Sequence, residues 1–305
     1  MSDIKLKPLD RQVIVITGAS SGIGLATAIL AAERGATVVL AARSGEAWSR
    51  IVEEINANGG QSVFIPCDVA RREQVETLAR KAAEQFGRID TWVNNAGVSI
   101  YGRLDEVSEE DSRQLFDTNF WGVYHGCLAA LPYLKKHGGA LINLGSEVSD
   151  AVIPYQGMYS ASKHAVKGLV DALRAEIQEL DHLPISITLI QPTATNTPYP
   201  QHARNYLPQE PKLPDPLDDP HDVAEAILEA AIKPTRSASV GAMAKAHVVV
   251  ARILPKLGEK MAAKTAGKQH YSEDPRHPEG ALSQPSELVD GTGSVYGSGG
   301  VKPKS

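Results

Sequence analysis

The stretch Val13-Ile-Val-Ile-Thr17-Gly18-Ala-Ser-Ser-Gly22-Ile-Gly24 decides the fold. Its first five residues are a continuous apolar, β-branched run, the pattern of a strand buried on both faces of a parallel sheet. Glycines follow at once, and then a helical pattern from Leu25 to Arg34. Strand, glycine-rich turn and helix together aim backbone N–H groups and a helix N-terminus at a phosphate. Gly18 suits the tight turn, Gly22 a close backbone approach, and Gly24 the packing of helix on strand. The spacing is Gly-x-x-x-Gly-x-Gly, which differs from the Gly-x-Gly-x-x-Gly dinucleotide fingerprint.

The alternation continues outward. Gly35–Ala41 is a second strand ending in Ala42-Arg43. In many dinucleotide sites an acid roughly 20 residues past the glycines takes a ribose 2′-hydroxyl, whereas an arginine suits a 2′-phosphate. Arg43 offers the fork donor and Ala42 no carboxylate, which favours NADP(H) over NAD(H); the alternative is a solvated loop arginine. A helix over about 45–58 leads to a strand, Ser62–Pro66, that ends in Cys67-Asp68-Val69. Asp68 could accept from an adenine amino group or cap the next helix, about Arg71–Gly87. Asp90–Asn94 is the fourth strand, and Asn94-Asn95-Ala96-Gly97 either brings backbone near a cofactor ribose or forms a structural turn. Ser108-Glu-Glu-Asp111 resembles a capping box and opens a helical pattern to about His137. Asn119 lies inside it, where a buried amide needs partners or bends the helix; a solvent-facing amide is the alternative.

Composition narrows the function classes. Of 305 residues, 42% are hydrophobic and 22% charged, ordinary globular usage for one large domain or two smaller ones. A net charge of −5 argues against a nucleic-acid partner. Cys67 and Cys127 have neither metal-ligand nor redox spacing, so buried thiols in a reduced compartment are expected. Met1–Arg11 lacks the apolar core of a signal peptide, and Lys245 and Arg252 interrupt the best apolar run, Ala242–Leu254. A cytoplasmic location is the expectation.

In the second half, Ala140–Gly145 is the fifth strand with Ser146 at its C-terminal end, the edge where open α/β sheets bind ligands. Tyr159-Ser-Ala-Ser-Lys163 places a phenol and an ammonium group one helical turn apart on one face. A free tyrosine holds its proton to about pH 10, and a nearby cation pulls that value down. Pro184–Ile190 is the sixth strand, entering Gln191-Pro192-Thr193. Asp219 caps a helix over Asp222–Ile232, and Ser237–Gly241 is a short last strand.

Thr17–Gly24, Asn94–Gly97, Asn119, Ser146 and Tyr159-Ser-Ala-Ser-Lys163 stand in the order and at the spacings of the classical short-chain dehydrogenase/reductase family, which this chain resembles over roughly residues 9–242. The resemblance implies an α/β fold, a doubly wound (Rossmann-type) seven-stranded parallel sheet with helices on both faces, forming a single domain plus a C-terminal extension. It also implies a nicotinamide dinucleotide, no metal, and interconversion of a ketone or aldehyde with its alcohol. Tyr159 would then be the general acid and base, with Lys163 depressing its pKa and holding the ribose. Ser146 would orient the substrate oxygen, and Asn119 would support a water-linked proton relay from a distorted helix. The implied cofactor contacts are Thr17, Gly18, Ser20, Ser21, Gly22, Ile23 and Gly24 in the turn, then Arg43, Asp68 and Val69. Asn95, Ala96, Gly97, Tyr159, Lys163, Pro192 and Thr197, the last holding the carboxamide, complete them. One departure stands out: the family has Pro-Gly where this chain has Pro192-Thr193, which restricts the backbone beside the nicotinamide.

Residues 199–218 are proline-rich and sit where the family places its substrate-covering loop; Tyr199, His202, Tyr206 and Leu207 are candidate pocket residues. The apolar and basic stretch 243–264 is expected to cover the cleft or a subunit contact, or to lie on a membrane surface. Five of the ten residues from Gly291 to Gly300 are glycine, and the chain over 265–305 is expected to bury little and to be flexible. The resemblance further suggests a homodimer or homotetramer and a small-molecule carbonyl or alcohol substrate. Loss of one of Asn119, Ser146, Tyr159 and Lys163 would mark a non-catalytic dinucleotide sensor instead; none is lost.

Overall fold

A computed structural model describes residues 4–43, 47–241, 253–285 and 294–297. β1 (Val13–Thr17) is buried at every position and pairs in parallel with β2 (Thr37–Ala42) on one side and β4 (Thr91–Asn94) on the other. With β3 (Gln61–Pro66), β6 (Gly139–Leu144), β7 (Ile185–Pro192) and β9 (Ser237–Val240) they form one seven-stranded parallel sheet in the order β3-β2-β1-β4-β6-β7-β9. Two further pairs of residues, β5 (Ile100–Tyr101) and β8 (Arg204–Asn205), make a separate short parallel ladder. The order steps outward from β1 in both directions, so a topological switch lies between β1 and β4.

Alternation along the strands builds two cores. Val13, Val15, Val39, Trp92 and Leu141 face α3 (Arg72–Phe86), α5 (Gly122–His137) and α6 (Gly157–Arg174). Ile14, Ile16, Val38, Leu40 and Ile142 face α1 (Gly22–Glu33), α2 (Ala47–Ala57) and α7 (Pro220–Ile232). The central strands β1, β4 and β7 are buried at every position because both faces are covered, whereas the edge strands β3 and β9 are only partly buried.

Element boundaries moved slightly from those expected. The α7 pattern begins at Pro220 rather than Asp222, with the Asp219 side chain accepting from the His221 N–H. Helix α4 (Glu109–Phe116) starts at the Ser108 cap, whose Oγ accepts from the Asp111 N–H. The expected continuous helix to His137 is broken by a π-helical turn, Asp117–Trp121, between α4 and α5. Asn119 is the fully buried residue in that turn.

Beyond β9, residues 242–252 lie outside the described part of the chain. Helix α8 (Pro255–Thr265) does not cover the cleft: Leu257 and Met261 are exposed, as is Ile253 just before it. Gln269, Ala281 and Leu282 are buried, which corrects for 266–285 the reading of a segment that buries little; residues 286–293 and 298–305, over which the same expectation ran, lie outside the described part of the chain. The correction has a physical source, since backbone hydrogen bonds to the 199–218 loop hold this glycine- and proline-rich stretch without any periodic pattern. Asn205, Glu210 and Lys212 N–H groups donate to Pro278, Glu273 and Gln269 carbonyls, and Ala281 N–H donates to His202. Among the described residues no helix is long and apolar enough to cross a membrane.

Candidate active site

The C-terminal ends of β1, β2, β3, β4, β6 and β7 open into one cleft. Gly18 and Ser20–Gly24 line it from the first turn, Arg43, Asp68 and Val69 from the β2 and β3 ends, and Asn95–Gly97 from the β4 end. Tyr159, Lys163, Pro192 and Thr197 close the other end. The turn can be built only with glycine at its closest approaches. Gly18 has φ +65° and a Cβ there would lie 2.6 Å from Ala96 Cα; a Cβ on Gly24 would collide with the Gly18 carbonyl. The α1 N-terminus carries no acidic residue in its first turn and its cap residue Ser21 makes no side-chain capping bond. Its positive end therefore faces the cleft without a built-in counter-charge. An anionic dinucleotide backbone fits these features.

Thr17 does not line the cleft. It is buried, and its Oγ1 donates to Val93 O and accepts from the Asn95 and Ala96 N–H groups at 3.1 and 3.2 Å. It ties the β4 loop to β1. The Asn95 amide likewise donates to Thr17 and Gly18 carbonyls, so the amides are turn-builders and only the loop backbone reaches the cleft. Asp68 combines both readings: its Oδ1 accepts from Ala70 N–H in the turn before α3, and the residue also faces the cleft.

Asn119 sits behind the cleft. Its Oδ1 accepts from Val98 N–H at 2.8 Å, and its Nδ2 donates to Val98 O and Ser162 Oγ. The π turn places this amide opposite both backbone groups of Val98, which an uninterrupted helix would leave unpaired. Ser146 caps the short helical turn Glu147–Ser149, its Oγ accepting from Val148 N–H, and its hydroxyl favours the Tyr159 phenolate.

The Tyr159–Lys163 pair differs from expectation. Burial pushes the Tyr159 phenol up to about 12, with the Ser146 and Tyr199 hydroxyls pulling it back. Lys163 Nζ donates to Leu144 O at 2.8 Å and lies 5.7 Å from the Tyr159 ring centre, so its ammonium group is spent on a carbonyl rather than on the phenol. Burial lowers the Lys163 pKa to about 8. In the protein alone the hydroxyls, not the lysine, favour the phenolate.

Two contributors, Gln156 and Gln269, were missed from sequence, and a third, Tyr199, does more than line a pocket. Tyr199 had been named only as a pocket residue; its ring stands edge-on to Tyr159 at 5.5 Å and its hydroxyl donates to Gln156 Oε1 at 3.0 Å. Gln156, in turn, donates through Nε2 to Gln269 Oε1, and Gln269 Nε2 donates to Pro154 O, each at 2.8 Å. Gln269 thus orients the amide that holds Tyr199. No local pattern signals a contact across more than a hundred residues. Of the other loop candidates, His202 lines the cleft. Tyr206 instead donates to Asp111 Oδ2, and Leu207 is buried against Tyr101 and Ala203.

Thr193 is accommodated. Among the described residues only Tyr155 and His182 are non-glycine residues with positive φ, so Thr193 carries no such strain. Its N–H donates to Val240 O and its Oγ1 bonds Asp218 Oδ2. Both cysteines are buried free thiols, pushed by burial to about 12.

The family model for short chain dehydrogenases matches residues 12–207. The uncharacterized oxidoreductase YxnA of Bacillus subtilis (strain 168) is 42% identical over 278 residues, covering 90% of this chain and 78% of the relative. An alcohol dehydrogenase from the archaeon Thermococcus sibiricus, solved with 5-hydroxy-NADP, superposes with a TM-score of 0.66 at 31% identity, over 75% of this chain and 94% of its own. A short chain dehydrogenase/reductase from Burkholderia phymatum, solved with NAD, gives a TM-score of 0.73 at 28% identity, over 83% and 96%.

Proposed function

We propose a function from one premise: this chain belongs to the short chain dehydrogenase family, and it is an oxidoreductase acting on CH–OH groups with a nicotinamide cofactor. Our reading is that it interconverts a ketone or aldehyde with its alcohol, that NADP(H) is the preferred cofactor, and that reduction by NADPH is the working direction. The observation that carries the reading is the placement of Tyr159, with the Tyr199 ring edge-on to it and Lys163 Nζ 5.7 Å from its ring centre, at the end of a cleft shaped for an anionic dinucleotide.

The residues divide the work. Gly18, Ser20–Gly24, Val69, Asn95–Gly97, Pro192 and Thr197 would hold the cofactor, with Arg43 at the 2′-phosphate and Asp68 near the adenine. When bound, the nicotinamide supplies a hydride to the carbonyl carbon or takes one from the alcohol. Ser146 donates to the substrate oxygen and fixes its position. Tyr159 gives that oxygen a proton in reduction and removes it in oxidation. Lys163 holds the ribose hydroxyls and, once turned from Leu144 O, favours the phenolate. Asn119 holds Val98 and the helix that carries Tyr159. The buried free thiols support a cytoplasmic setting. The half-exposed Trp121 beside Phe120 and Tyr124 supports a homodimer or homotetramer through the α4–α5 face.

The test is a paired fluorescence titration with NADPH and NADH, repeated on Arg43→Ala. Tighter binding of NADPH, lost in the variant, is the expected result; equal affinities in the wild type would overturn the cofactor preference.

A further inference from the structure

Two described pieces of the chain beyond β9, Ala281–Pro285 and Ser294–Gly297, are fastened at opposite ends of the cleft. At the β2 end, Arg43 Nη1 donates to Leu282 O at 3.1 Å and Nη2 to Ala281 O at 2.5 Å. Ala281 and Pro285 line the cleft itself, and Leu282 packs in the small apolar cluster that includes Tyr159. These bonds use two of the five guanidinium N–H groups, so Arg43 can hold the strap and a phosphate together.

At the glycine-rich turn the fastening is different. Ser294 O accepts from the Gly22 N–H at 2.9 Å. Three residues on, Gly297 lies so close to the segment after β7 that a Cβ there would stand 2.5 Å from Thr197 O. Between them, the Tyr296 hydroxyl bonds Asp219 Oδ1 at 3.2 Å and His221 Nδ1 at 3.0 Å, and its ring stacks on His221. Val295 packs onto the α1/α7 core. Ser294–Gly297 therefore joins three separate pieces of the cleft rim: the glycine turn, the Thr197 segment and the start of α7. It lies outside the cleft lining, so it bridges the opening rather than filling it.

We propose that Ser294–Gly297, together with the Arg43-held strap at Ala281–Leu282, is a clasp that retains the bound dinucleotide by tying the glycine turn to the Thr197 segment. The inference rests on the cofactor reading above. A dinucleotide lying between these two pieces can leave only when they part, and the clasp joins them directly. None of these clasp residues falls within the family-matched region, which ends at residue 207. The retention is supplied by chain that lies beyond the family model.

Point variants in the full-length protein test it. Tyr296→Ala removes the anchor at Asp219 and His221, and Gly297→Val forces a side chain into the Thr197 carbonyl. Release of NADPH, followed by nicotinamide fluorescence after a chase with excess NADP+, should quicken by about ten-fold in each variant, the scale of losing one or two net hydrogen bonds. An unchanged thermal midpoint shows that the fold is intact. Release at the wild-type rate in both variants overturns the clasp. Tighter NADPH binding in the variants also overturns it, because the segment would then be a competitor. If wild-type protein binds neither NADPH nor NADH, the cofactor reading itself fails and takes the clasp with it; if the wild type binds and the variants release alike, the clasp alone fails.

Discussion

Lys163, which we propose serves the chemistry, is costly to keep charged in the fold. Its ordinary pKa of 10.5 falls to about 8 on burial, so the folded protein carries a penalized ammonium group below that pH. The sign follows directly: unfolded chains bind more protons than folded ones between the two values, so stability rises with pH across that window. Below about pH 8 the penalty is present in full, roughly 3 kcal/mol as an upper bound from the size of the shift. Lys163→Met should therefore raise the urea midpoint at neutral pH and flatten the stability–pH curve between 8 and 10.5, while abolishing turnover. A destabilised variant would mean that the bond to Leu144 O outweighs desolvation. Four-residue spacing alone did not distinguish Tyr159 and Lys163 from any amphipathic helix; the full set of motifs in order singled them out. The partners that set their proton affinities were not legible, because Leu144 O, Tyr199 and Ser146 reach them only through the fold. Tyr199→Phe should raise the Tyr159 pKa by removing one of the hydroxyls that favour the phenolate. The expected readout is an alkaline shift of about one unit in the pH profile of alcohol oxidation, the scale of a bond to a charged group; an unmoved profile would leave Tyr199 a packing residue only.

At the scale of elements, the turn between β1 and α1 and the π turn before α5 carry the site. Gly24→Ala would drive a methyl into the Gly18 carbonyl, so both the melting temperature and dinucleotide affinity should fall together. Affinity lost without a stability change would place the role of Gly24 elsewhere. Asn119→Ala would leave the Val98 N–H and C=O unpaired in the interior, a loss of roughly 2–4 kcal/mol in unfolding free energy. The strands and α1 could be read from composition because each is a run of one periodicity. The π turn could not, since five residues of irregular helix leave no periodic trace. Sequence did supply the clue that a buried asparagine inside a helix must find partners. Thr193 shows the opposite case: the missing glycine looked disruptive, yet the backbone at that point never needed positive φ.

Across the whole molecule, the sheet order follows from alternation of strand and helix, and the cleft from the switch between β1 and β4. That much was written locally along the chain. The extension was not, because its folding is decided by backbone bonds to a loop more than fifty residues earlier, for example Asn205 N–H to Pro278 O. Its composition signalled flexibility, whereas Gln269 and Leu282 are buried and Ala281 and Pro285 line the cleft. The account rests finally on a proton passing between Tyr159 and a substrate oxygen beside a bound nicotinamide. The most direct measurement is NADPH consumption across a panel of ketones and aldehydes by wild-type protein and by Tyr159→Phe, with NADPH affinity measured on both. Turnover by the wild type, its loss in the variant and matched affinities are the predicted result; a variant that binds NADPH and turns over at the wild-type rate would contradict it.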